Sequence, residues 1–150
     1  MCTVISKVPA KLVLLMLCAF PVSAPVNACD LKVTGAWIRE APPGLMTLAG
    51  YATLTNESSR PVQIDRIQSV QFMEVQMHET VMTQGVASMH AIDKLAIAPH
   101  QTIEFAPGGK HFMMMGAIKP LKKGDSVVVE LRDQHGCSTQ AQFVVRTASQ

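Results

Sequence analysis

The chain has 150 residues, 48% of them hydrophobic and only 5% aromatic, and a formal net charge of +2. Two of its 13 basic residues, Lys7 and Lys11, fall in the first 28 positions and none of its 11 acidic ones does, so residues 29–150 carry eleven of each sign. A chain so balanced has no electrostatic footprint for nucleic acid or an anionic membrane, and its length suits one domain with a real core.

Residues 1–28 read as an export signal. Lys7 and Lys11 supply a basic start, "LVLLMLCAF" (12–20) is an apolar core, and "PVSAPVNA" (21–28) ends in the small residues Val26 and Ala28 that suit cleavage. Nine apolar residues are too few to span a bilayer, which takes about 20. Cleavage also leaves Cys29 at the new terminus, the position of a lipid anchor, but Asn27 and the gap after the apolar core argue against that use. The expected location is therefore the periplasm. Of four cysteines, Cys2 and Cys18 leave with the signal, and an oxidising compartment joins the remaining pair, Cys29 and Cys137. Two ligand thiolates would be the alternative, with only His135 near Cys137 to support it.

Past residue 28 no stretch keeps a 3.6-residue apolar period, while short β-rich runs bounded by turn residues recur about every ten residues. Strands are expected near 31–39, 48–56, 62–69, 72–81, 86–92, 101–106, 111–118, 126–133 and 138–146. Turns rich in Gly, Pro, Asn, Asp and Ser separate them, among them "APPG", "NESSRP", "PGG" and "DQHG". The expected architecture is all-β, a sandwich or barrel, in one domain over 29–150.

Chemistry gathers in three of these strands. His78, Met89, His111 and Met113 are spaced H-x10-M-x21-H-x-M. Singly, each has a plainer reading: His78 as a hydrogen-bonded surface histidine, Met89 and Met113 to Met115 as core filler. Together they can converge. On a strand, residues two apart share a face about 7 Å from each other, so His111 and Met113 point to one side with Met115, and Phe112 and Met114 to the other. Two ligands from one strand and one from each of two neighbours make a four-coordinate site of two imidazoles and two thioethers.

Such ligands select a soft ion. Neutral thioethers hold Cu(I) or Ag(I) well and Zn(II) poorly. A structural zinc site would want paired cysteines, and a blue-copper site a Cys with His and Met shortly after it; neither pattern occurs. Nor is there a G-x-S-x-G elbow or a glycine-rich phosphate loop, so an enzyme is not expected.

The stretches "GAWIREAPPGLMTLAGYATLTN" (35–56), "VQMHETVMTQGVASMHAI" (75–92) and "PGGKHFMMMGAIKPLKKGDSVVVEL" (107–131) resemble the periplasmic copper(I) chaperones of the PCuAC type, over nearly all of the chain after the signal. The resemblance implies a cupredoxin-like β-sandwich and one Cu(I) ion held by His78, Met89, His111 and Met113. It also implies a monomeric carrier that hands copper to a protein of respiratory oxidase assembly, most often for the copper site of cytochrome c oxidase. Some relatives add a His- and Met-rich tail with a second site; here the end, "VVRTASQ", has no such ligands. Two other readings stay open: copper or silver buffering for resistance through the same site, and a metal-free β-sandwich interaction module. Met77 and Met115 are left without a settled role.

Overall fold

Ten strands make up the fold, with no helix among the described residues: β1 (Leu31–Arg39), β2 (Thr47–Asn56), β3 (Val62–Gln68), β4 (Phe72–Thr83), β5 (Val86–Ala91), β6 (Leu95–Ile97), β7 (Thr102–Phe105), β8 (Lys110–Ala117), β9 (Ser126–Asp133) and β10 (Ser138–Arg146). The computed structural model describes residues 29–147, so the export segment expected over 1–28 lies outside it. Nine strands fall where alternation and turn residues place them. The tenth, β6, is a three-residue strand within a segment expected to be loop.

The strands form one sheet in the order β5, β4, β8, β2, β1, β10, β9, β3, β6, with β7 also on β2. β2 is the pivot. One of its edges pairs with β1, and the other is shared, Thr47–Gly50 bonding to β8 and Ala52–Thr55 to β7. β1 carries an extra residue between Thr34 and Trp37, with Gly35 at φ +61°. That bulge bends the strand, and its last three residues then pair in parallel with β10. The sheet curls until β3 lies alongside β4.

Period-two alternation builds the interior. On β9, Val127, Val129 and Leu131 are buried, and on β10 Ala141, Phe143 and Val145, while the residues between them face outward or stay partly exposed. Phe112 of β8 sits at the centre, stacked on Phe105 with ring centroids 4.2 Å apart and meeting Phe143 edge-on at 5.6 Å. Both are favoured aromatic geometries. β6 is held by a polar device: the buried Asn56 donates through Nδ2 to the carbonyls of Arg60, Ile97 and Ala98 and accepts at Oδ1 from the backbone N–H and hydroxyl of Ser58. Its hydrogen-bonding capacity is filled, which is the condition for burying an amide.

A disulfide joins Cys29 to Cys137, with Cα atoms 5.7 Å apart. It fastens the start of β1 to the turn between β9 and β10. The sulfur of Cys29 is thereby committed, and a lipid thioether on the same atom would exclude this bond.

Candidate metal centre

β8 presents two faces of opposite character. Phe112 and Met114 are fully buried in the core, while Met113 and Met115, on the other side, are half-buried. Packing of Phe112 and Met114 therefore fixes how His111 and Met113 stand on the outer face. Gly50, opposite Phe112, lies close under Met114: a Cβ there would come within 2.6 Å of the Met114 methyl.

β4 runs antiparallel beside β8, in a register that sets His78 opposite His111 and Gln76 opposite Met113. The two imidazole centroids are 5.8 Å apart, tilted 58°. Met113 is diagonal to His78, within reach for a long side chain. His78, His111 and Met113 are thus mutual neighbours on one face. Met77, on the opposite face of β4, is a core residue.

Met89 stands differently. On β5 it lies opposite Thr80, with Ala91 opposite His78, so it is diagonal to His78 on the side away from Met113. In a flat sheet this leaves Met89 and Met113 about 17 Å apart at Cα. Met89 exposes 56% of its surface, and every residue of β5 is exposed. Read alone, a methionine is core filler; here no core stands behind it. The hairpin turns on Gln84 and Gly85, both at positive φ, as a two-residue turn of the right hand for a twisted pair of strands.

Hydrogen bonds set which nitrogen each histidine offers. Gln76 donates its amide to Glu74 Oε1 at 2.6 Å, so its Oε1 faces His78 and accepts from Nε2 at 2.8 Å. Nδ1 of His78 is left as a lone pair, buried and without a partner. At His111, Nδ1 donates to the Gly109 carbonyl at 3.1 Å, which leaves Nε2 as the lone pair. Metal-bound histidines are held in the same way, one nitrogen fixed by an outer partner and the other free to coordinate. Burial pushes the His78 imidazole below its usual range, and charge on His111 pushes it further the same way, so the neutral, ligating form is favoured.

The two imidazoles are the nitrogen donors of the site, and the nearest oxygens on that face, of Glu74 and Gln76, are engaged in orienting His78. Among the described residues no three His, Cys, Asp or Glu side chains group closely enough to hold an ion, and the further soft donor beside the two imidazoles is the thioether of Met113. That donor set fits a soft monovalent ion. Glu74 and Gln76 escaped the reading of the sequence, although Glu-x-Gln-x-His on a strand puts all three on one face.

Residues 31–145 match the family described as "Putative lipoprotein LpqE-like". A relative from Leifsonia xyli subsp. xyli, "Putative lipoprotein Lxx21020", is 31% identical over 124 residues, covering 82% of this chain and 74% of its own. Among solved structures, the Cu(I) form of DR1885 from Deinococcus radiodurans is 28% identical with a TM-score of 0.65, covering 85% of each chain. The copper-bound PCuAC domain of PmoF2, at 20% identity and a TM-score of 0.66 over 79% of this chain and 93% of that one, shares the cupredoxin-like β fold.

Proposed function

Because this chain belongs to the LpqE-like family, which is of the PCuAC type, we propose that it is a periplasmic Cu(I) chaperone. In this reading it binds one ion through His78, His111, Met113 and Met89 and passes it to a protein of respiratory oxidase assembly. The observation that carries the reading is the pair of facing imidazoles, each with one nitrogen engaged by an outer partner and the other left as a lone pair. Similarity to a relative solved with Cu(I) supports the choice of ion.

The ligands are neutral, so the bound ion keeps its positive charge and remains exchangeable, whereas thiolates would hold it more firmly. Met89 joins the other three when the β4–β5 hairpin curls toward the sheet. With no core behind β5, that movement breaks no packing.

Competition against a Cu(I) chelator tests the site. Replacing both histidines by alanine should weaken binding of Cu(I), Cu(II) and Zn(II) alike. Replacing Met89 and Met113 should leave two imidazoles that have lost most of the preference for Cu(I) over the divalent ions. A wild-type protein that takes up no Cu(I) would leave only the metal-free module. Delivery is tested in a deletion strain: oxidase activity should fall, while normal oxidase with heightened copper sensitivity would point to buffering instead.

A further inference from the structure

The His78 and His111 donors lie on the outer face but are largely covered there. His111 exposes only 8% of its surface and Nδ1 of His78 is buried, so the two nitrogen donors offer little surface to an incoming ion, whereas a thioether of the set does. The exposed thioether of the set is Met89, and its face of the hairpin does not end there. His78, Thr80 and Met82 succeed one another on one side of β4, and Met82 lies opposite Ala87, two residues from Met89. Met89 is therefore diagonal to His78 at one end and to Met82 at the other, in both cases within reach of a long side chain.

Packing does not account for Met82. It exposes 63% of its surface, beside a two-residue turn where polar residues are the rule, on a hairpin whose outer half has no core on either side. Its neighbours on that face, Thr80 and Ala87, carry no charge to repel a cation. Glu79 and His90 face the other side, where Glu79 pairs with Lys110. The hairpin thus exposes two thioethers in line with the half-buried imidazole of His78 and, beyond it, the buried one of His111.

We propose that Met82 is an auxiliary thioether ligand through which Cu(I) enters and leaves the site along the exposed face of the β4–β5 hairpin. The inference rests on the Cu(I) site proposed above and adds the route to it. In the exchange step the Met82 sulfur forms a bond to Cu(I), sharing the ion with Met89, as an imidazole nitrogen releases it. The ion stays monovalent, and no proton or electron moves, because thioether and imidazole are both neutral. An acceptor then meets copper on two exposed sulfurs instead of reaching between two histidines.

The test uses Met82→Leu, which keeps an apolar side chain of similar size and removes the sulfur. The exported protein is loaded with Cu(I), and bathocuproine disulfonate strips it while absorbance follows the rate. We expect equilibrium affinity to stay within about threefold of wild type and the stripping rate to fall about tenfold, or ~1.4 kcal/mol in the exchange barrier. A rate equal to wild type overturns the proposal and leaves the site standing. An affinity loss as large as that of Met113→Ala also overturns it, since Met82 would then be a permanent ligand. As a second measurement, with Ag(I) below one equivalent and exchanging between molecules that carry 13C-methyl methionine, the Met82 signal should broaden together with that of Met89; a Met82 signal untouched by exchange overturns the route. Wild type that takes up neither ion defeats the chaperone reading itself, an outcome distinct from either of these.

Discussion

Nε2 of His78 donates to Oε1 of Gln76, two residues earlier on the same strand, and Gln76 is itself oriented by Glu74. The carboxylate thus decides, at one remove, which nitrogen of His78 is free. Gln76→Leu should weaken Cu(I) binding by about tenfold, the lower end of what outer-shell partners contribute, with little change in apo stability. Gln76→Glu keeps an acceptor oxygen at that distance and should restore most of the affinity. Chelator competition on both variants decides it; a Leu variant that binds like wild type would show that the tautomer is fixed by something else.

Neighbouring methionines on β8 should behave in opposite ways. Met114 is fully buried against Gly50, so Met114→Ala should cost about 2–5 kcal/mol of stability and leave Cu(I) affinity nearly unchanged once folded. Met113→Ala, on the outer face, should cost about 1 kcal/mol or less and lower Cu(I) affinity. Urea unfolding of the apo proteins beside copper titration separates the two, and equal losses of stability would return Met113 to the core.

Acid should act twice. The folded-state pKa of His78 is depressed by burial and by His111. Above about pH 6.5, the ordinary imidazole value, neither the folded nor the unfolded chain holds this proton and nothing is lost. As pH falls below that, the unfolded chain takes the proton first, so stability declines until the folded pKa is passed and then levels. Urea midpoints at several pH values should show a steeper acid decline for wild type than for His78→Ala. Cu(I) affinity should fall as well below about pH 6, where protons compete for the imidazole of His78 but not for the thioethers. An affinity flat down to pH 5 would remove His78 from the site.

Cys29 and Cys137 should resist thiol labelling under denaturing conditions until a reductant is added. The chain-entropy model gives the bond roughly 4–5 kcal/mol as an upper figure for a loop this long, so reduction should lower the urea midpoint distinctly. Free thiols in the untreated protein, or a lipid on Cys29, would contradict the bond.

Most strands were legible because alternation marks a sheet with one buried face, as in Ala141, Phe143 and Val145 of β10. β6 was not: three residues give no alternation, and they form a strand through Val62–Ile64 of β3 and the side chain of Asn56, both far off in sequence. At the site, spacing alone put His111 and Met113 on one face apart from Phe112 and Met114. It could not give the register that sets His78 opposite His111, since register belongs to the pairing of two strands. Nor could it reveal that Met89 would be exposed, because exposure depends on the hairpin running past the core.

β1 and β10, near opposite ends of the chain, lie side by side, and the disulfide beneath them spans a sequence separation of 108. Hairpins such as β4–β5 and β9–β10 can form as soon as their residues exist, but the sheet cannot be joined until the last strand arrives. Such dependence on distant pairings slows folding toward the millisecond-to-second range. In the periplasmic location proposed above, the chain would therefore meet its oxidant while one edge of β1 still waits for its partner. If the cysteines are joined first, the longest search is over before β10 docks; stopped-flow fluorescence of Trp37, which sits beside Tyr51 at 4.6 Å, should record faster refolding of oxidised than of reduced protein.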